Sequence, residues 1–288
     1  MLLSNVLDKI VLEFDLQPCT VKQYRMVLSR FSAWLGKKAE LSDLTMDNLN
    51  GFLLASQQKL NPTTIRNYRV AMTRIWNYAS ETEGIPGYNP KRLRRQKLIQ
   101  KPVLSWTQDQ VSALLKGTQD LMGKISCGIQ QSDLMKAWVL VGYDTGLRPI
   151  DLRLMRWVNI DFEYGTVSVT QHKTRRTHTA LLSEESKNAL KAIRSPERDL
   201  VFPIGKGGCR RLELMLFDAA KRFGFRRVRG QGIGTLRKSH ATEIYKSEGE
   251  VAAAESLGHV GGVRTVRASY IDHREVRQGR LPPKPDVA

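Results

Sequence analysis

Thr145-Gly146-Leu147-Arg148-Pro149-Ile150-Asp151-Leu152 is the stretch on which the reading of this chain turns. An apolar helical run from about Asp133 to Thr145 precedes it and stops at Gly146, the residue type best suited to a left-handed helix cap. Pro149 suits the first turn of a new helix, because the N–H it lacks would have no partner there. Arg148 therefore stands at a tight junction between two helices, where its planar fork can be aimed at a phosphate. Asp151, three residues on and one helical turn away, can hold the guanidinium. Taken alone the pair is weak evidence, because most Arg–Asp pairs at this spacing are structural.

Downstream, Val167–Val169 and His178–Leu182 read as two short strands around a basic turn, Lys173-Thr174-Arg175-Arg176. A lysine on such a turn is ordinarily solvated, but here it can be a mobile ammonium that reaches into a DNA groove. Ser183 caps a helix ending near Ile193. Later helices are expected from about Arg210 to Phe223, Leu236 to Ser247 and Val251 to Leu257. Leu236-Arg237-Lys238-Ser239-His240-Ala241-Thr242 opens one of them; the free N–H groups of a helix start also suit a phosphate. Leu257-Gly258-His259, Thr265 and Tyr270-Ile271-Asp272-His273 follow. Upstream, Thr107 and Gln110 form a capping box for a helix through Val111, Leu114 and Leu115.

The first third reads as helices. Thr20 with Gln23 offers a capping box, and Val21, Tyr24, Leu28, Phe31 and Leu35 follow at steps of 3 and 4, with Gly36 as the stop. Leu44 and Thr45 open a short helix through Leu49, Phe52 and Leu53. After the Asn61-Pro62 break, Ile65, Tyr68, Met72, Ile75 and Ala79 mark another helix face. These stripes are read as core. Gly84, Pro86, Gly87, Pro90 and Pro102 then break regular structure. Lys91, Arg92, Arg94, Arg95, Lys97 and Lys101 accompany them with no acidic residue between 91 and 101. That stretch reads as a linker, either simply solvated or tracking DNA phosphates. The domains expected are 1–88, helical; 89–103, basic linker; and 104–288, mostly helical with a small sheet.

Composition narrows the partner. The 288 residues include 46 Lys and Arg against 28 Asp and Glu, a net charge of +18. So basic a chain is attracted to polyanions, of which nucleic acid is the commonest. Cys19, Cys127 and Cys209 lie far apart with no Cys-x-x-Cys pair, against a disulfide framework or a zinc site. They are read as small core residues in a reducing cytoplasm. Asp8, Glu13 and Asp15 interrupt the N-terminal apolar residues, against a signal peptide, and no run of about 18 apolar residues marks a membrane span.

The four clusters around Arg148, Lys173, Arg237 and His259–Tyr270, in this order behind a helical first third, resemble the tyrosine recombinase (phage integrase) family. Residues 145–151 are similar to its Thr-Gly-Leu-Arg box with the acidic residue three on. Arg237 matches the arginine of its His-x-Leu-Arg box, Leu257-Gly258-His259 its Leu-Gly-His segment, and Tyr270 its terminal tyrosine. The resemblance covers about residue 4 to residue 275. It implies a fold that is mainly α with a small antiparallel sheet: a helical core-binding domain followed by a tyrosine-recombinase-type catalytic domain. In two places the chain departs from the pattern. The family's histidine three residues before the second arginine falls at Gly234, and His259 precedes Tyr270 by 11 residues where about 9 are expected. His240, three residues after Arg237, reads as a core or DNA-contacting residue, with a stand-in for the missing imidazole as the alternative.

The implied reaction is site-specific cleavage and rejoining of duplex DNA through a 3′-phosphotyrosine. Tyr270 is the nucleophile. Arg148 and Arg237 stabilise charge on the phosphate oxygens, and Lys173 is the general acid for the leaving 5′-oxygen. His259 accepts a proton or hydrogen-bonds the phosphate. Asp151 and His240 are supporting residues, and Arg92, Arg94, Arg95, Lys97 and Lys238 are DNA contacts. No metal or other cofactor is called for, and the relatives imply a homo-tetramer on two DNA sites in the cytoplasm, away from membranes. Because the chain starts almost directly at the helical domain, a Xer-type resolution role stands beside integration and excision. A catalytically inactive DNA-binding relative and a type IB topoisomerase are the rivals.

Overall fold

In the computed structural model, which describes residues 1–98, 101–258 and 262–276, the chain divides into two compact units, residues 1–100 and 101–288. Among the described residues the first contains four α-helices: α1 Leu3–Glu13, α2 Pro18–Leu35, α3 Met46–Gln57 and α4 Pro62–Thr82. Asn61 caps α4 with a side-chain bond to the Thr64 N–H, and Thr45 caps α3 through the Asn48 N–H. The expected stripes are the core: Phe31 stands edge-on to Phe52, which stacks on Tyr68. One local expectation fails. α2 begins at Pro18, two residues before Thr20, and no side chain caps it. Proline at the first helical position pre-sets the backbone and takes the start from Thr20.

The basic stretch after α4 docks on α3. Leu93 is buried in the helical core. Asn50 accepts the Arg94 N–H at 2.8 Å and donates to the Arg92 carbonyl at 3.3 Å, and Arg94 Nη2 reaches Gln57 Oε1 at 2.9 Å. Arg92, Arg94, Arg95 and Lys97 are all exposed.

The second unit contains α5 Gln108–Thr118, α6 Gln131–Thr145, α7 Pro149–Arg153, and a sheet of β1 Ile160–Asp161, β2 Thr166–Thr170 and β3 Thr177–Leu181. These are followed by α8 Glu184–Ile193, α9 Lys206–Ala220, α10 Leu236–Ser256, α11 Val263–Ser269 and α12 His273–Val276. The sheet is antiparallel in the order β1-β2-β3, with Val169 opposite His178. Thr107 and Gln110 form the expected capping box at α5. α9 starts at Lys206, four residues before the expected Arg210, with Gly205 as the extended residue ahead of it. α10 is broken at Gly249, consistent with the two helices expected there.

Trp106 and Trp138 lie at the centre of the core, against Phe217 and Phe225 and against Phe202. A smaller apolar cluster of Ala241, Ala253, Ala254, Leu257, Val266 and Ile271 packs beneath Tyr270. Two of the three cysteines are not core residues: Cys19 and Cys127 are exposed, while Cys209 is half-buried and packs against the core of the second unit.

Candidate active site

Two helix ends and one hairpin build the site. α6 stops at Gly146, whose φ of +57° suits glycine. A Cβ there would also meet His240 Cδ2 at 2.6 Å, so the position excludes side chains twice over. The next residue but one, Arg148, is the extended residue that caps α7, with Pro149 at its first position. Its Nη1 donates to Gln171 Oε1 at 2.8 Å and lies 3.8 Å from Asp151 Oδ2. That separation makes an ion pair without a hydrogen bond. The other oxygen of Asp151 accepts the His172 N–H at 2.8 Å and so holds the root of the hairpin.

Arg237 enters from the first turn of α10 and is buried, 3% exposed. It donates to the carbonyls of Gly146 at 2.6 Å and Leu257 at 3.1 Å. Both carbonyls end helices, where no intrahelical donor is available and the dipole is negative. These bonds fix the guanidinium and offset part of its burial. The ring centroid of Tyr270 lies 4.9 Å from it. Burial raises the Tyr270 phenol, but the charges and hydrogen bonds of Arg237 and then Arg148 outweigh it, and the net displacement is downward. A lowered phenol is a better nucleophile precursor, and the same two cations can hold phosphate oxygens.

The segment carrying Tyr270 is tied down. Asp272, fully buried, accepts the Ser105 N–H at 2.9 Å and is bound by Arg274 Nη2 at 2.7 Å. Thr242 donates to the Tyr270 carbonyl at 3.4 Å and accepts the Asp272 N–H at 3.1 Å. Together these bonds hold the tyrosine segment against α10 and the start of the unit.

The remaining expected residues of this unit fall as follows. Lys173 is exposed on the β2–β3 turn, which the Gln171 N–H closes on the Arg176 carbonyl at 2.9 Å. Lys238 is half-buried beside Arg237. His259 lies outside the described residues. Gly234 sits in the turn leading into α10, where a Cβ would come 3.3 Å from Pro149 Cγ, so a side chain there would press on the proline that follows Arg148. His240 is buried under Gly146, its Nδ1 2.8 Å from the Tyr143 carbonyl and its Nε2 without a hydrogen-bond partner. Burial pushes its pKa down to about 4, so the ring is neutral at pH 7.

Two site residues escaped the sequence reading. His178, on β3, is also lowered, first by burial and then by Arg237, with Arg148 contributing, which puts a second imidazole beside the arginines. Gln171, 1% exposed, bonds to Arg148 and donates to the Leu257 carbonyl at 3.1 Å. The only sequence signal for either is position: two residues before Lys173, and five after it on a strand.

A model of the phage integrase family matches residues 105–276. No curated protein matches the chain by sequence. Among solved structures, a lambda integrase (residues 75–356) dimer bound to a COC′ core site is 19% identical, with a TM-score of 0.74 over 99% of this chain and 100% of that one. The Tn1549 transposon integrase in complex with transposon right end DNA is 14% identical, with a TM-score of 0.68 over 93% and 94%. The XerH site-specific recombinase bound to difH substrate is 18% identical, with a TM-score of 0.64 over 88% and 76%. At these identities the likeness is one of fold.

Proposed function

Because the chain belongs to the phage integrase family, we propose that it cleaves and rejoins duplex DNA at specific sites through Tyr270. The observation that carries this is the grouping of Tyr270 with Arg148 and Arg237, whose charges lower its phenol.

The phenolic oxygen attacks phosphorus and forms a 3′-phosphotyrosine, and the 5′-oxygen leaves as a hydroxyl. The ester bond lost is replaced by the ester formed, so no nucleotide is consumed. Negative charge gathers on the non-bridging oxygens in the transition state. Two guanidiniums, whose planar forks match phosphate oxygens, are suited to it. Lys173, on its exposed turn, supplies the proton to the 5′-oxygen. His259 takes the phenolic proton or binds the phosphate. The second strand exchange needs two sites held together, and the reading includes a tetramer; a lambda integrase of the same fold is known as a tetramer bound to a Holliday junction. The exposed Arg92, Arg94, Arg95 and Lys97 would hold phosphates. No helix of the described residues is long and apolar enough to cross a membrane; the proposed place of action is DNA in the cytoplasm.

The test is a nicked duplex carrying the target junction, on which loss of the short cleaved fragment traps the covalent intermediate. The wild type forms a denaturation-resistant protein–DNA adduct, and Tyr270→Phe forms none while binding the duplex with nearly the same affinity. Adduct in the Phe variant refutes Tyr270 as nucleophile. Tight binding by the wild type without adduct supports the inactive-relative reading instead.

A further inference from the structure

The β2–β3 hairpin is joined to both arginines through one neutral side chain. Gln171 Oε1 accepts Arg148 Nη1 at 2.8 Å and the Thr174 hydroxyl at 3.1 Å. Its Nε2 donates at 3.1 Å to the Leu257 carbonyl, which also accepts Arg237 Nη2 at 3.1 Å. The result is an unbroken chain of hydrogen bonds, Arg148–Gln171–Leu257 carbonyl–Arg237, that joins the two guanidiniums on the hairpin side, while Tyr270 meets both of them as well. From this geometry we propose that Gln171 is a positioning residue for cleavage: it sets the separation and orientation of Arg148 and Arg237 around the scissile phosphate. This rests on the recombinase reading above.

Two features argue for an amide at this place. First, it orients a guanidinium without cancelling its charge. A carboxylate at the same point would pair with Arg148 and take from the phosphate the charge it needs. Second, a competitor stands close by. Asp151 Oδ2 is buried, has no hydrogen-bond partner and lies 3.8 Å from the same Nη1. Without Gln171, Arg148 would close this 3.8 Å ion pair into a hydrogen-bonded one and give up more of its charge to it. Because Gln171 is 1% exposed, water cannot readily take the amide's place. Gly258 reinforces the arrangement. A Cβ there would lie 3.0 Å from Gln171 Nε2 and 2.8 Å from His178 Nδ1, so the glycine leaves room for the amide to reach Leu257.

The experiment follows the Tyr270 phenol as a reporter of where the arginines stand. The full chain is labelled at the tyrosine ring carbon bearing oxygen and titrated by NMR, with Tyr270→Phe assigning the signal. In Gln171→Ala the Tyr270 titration moves to higher pH, because Arg148 turns to Asp151. Cleavage at saturating nicked duplex falls roughly 10- to 100-fold, the cost of a misplaced reacting group, while DNA affinity holds within about threefold. On a duplex with a neutral methylphosphonate at the scissile position the gap between wild type and variant narrows, since less charge needs stabilising. Gln171→Glu keeps the size of the side chain and covers the case in which the alanine variant fails to fold; it too moves Tyr270 upward and slows cleavage. An unmoved Tyr270 titration in a folded variant, or an equal loss on both substrates, overturns the proposal. A wild type that forms no adduct on any duplex removes the recombinase reading, yet the titration still decides whether Gln171 sets the arginines.

Discussion

His240 makes the second unit acid-labile in a way that can be measured. Its imidazole is 9% exposed, with Nδ1 against the Tyr143 carbonyl, and its pKa is pushed down to about 4, chiefly by burial. In the unfolded chain a histidine titrates near 6.5. Between those values the unfolded state binds a proton that the folded state refuses, so stability falls as the pH falls through this window and is intact above it. A difference of about 2.5 units at about 1.4 kcal/mol each amounts to roughly 3 kcal/mol in full, of which about 2 kcal/mol is lost between pH 7 and pH 5. The perturbation is His240→Gln, which removes the titration and keeps a side-chain donor. The assay is urea unfolding of wild type and variant at pH 7 and pH 5, following the transition that involves Trp106 and Trp138. His178 is lowered in the same direction and is present in both proteins, so its share cancels in the comparison. The variant is less stable at pH 7, and the wild type loses about 2 kcal/mol more than the variant on acidification. Equal pH sensitivity in the two proteins would refute a buried neutral His240. Cleavage lowered at pH 7 out of proportion to stability would instead place the ring in the role vacated at Gly234.

Three further outcomes follow from the site and its charge. Gly258→Ala meets both a φ of +61° and the close approach of His178, whereas Gly230 has a φ of +93° and open space. Thermal or urea unfolding should therefore show Gly258→Ala destabilised by more than the roughly 1–2 kcal/mol of backbone strain expected for Gly230→Ala; equal losses would deny the packing role. Asp272→Ala leaves the buried Ser105 N–H without an acceptor, at a cost of roughly 1–3 kcal/mol, and frees the tyrosine segment. Single-turnover adduct formation should slow at saturating DNA with the binding constant little changed, and an unaltered rate would sink the tethering argument. The net charge of +18 predicts DNA affinity that drops by about 10³-fold between 50 and 200 mM salt if at least six phosphates are contacted; a flat salt dependence in fluorescence anisotropy would show that the charge does not serve DNA.

What the sequence determined by itself is whatever rests on neighbours three or four residues apart. The stripes of α2 and α4, the Thr107–Gln110 box, the Gly146 stop and the Pro149 start are all decided by local backbone chemistry, and the structure has them where they were read. The ordered clusters that mark the family belong here as well, because they are runs of residue types legible along the chain, and the family model matches residues 105–276. Where local signals competed, the reading erred: Pro18 overrode Thr20, and α9 begins at Lys206, four residues before the start expected at Arg210. Apolar side-chain character also misled for Cys19 and Cys127, since exposure is decided by which face a residue lands on after packing. Only the tertiary structure brought Gln171 to Arg148, 23 residues away, and to Leu257, 86 away. It alone set Arg237 on the Gly146 carbonyl across 91 residues and pinned Asp272 to Ser105 across 167. A buried amide or a strand histidine has no periodicity to betray it; its role depends on which carbonyls and charges the fold brings within about 3 Å, the range over which a hydrogen bond acts.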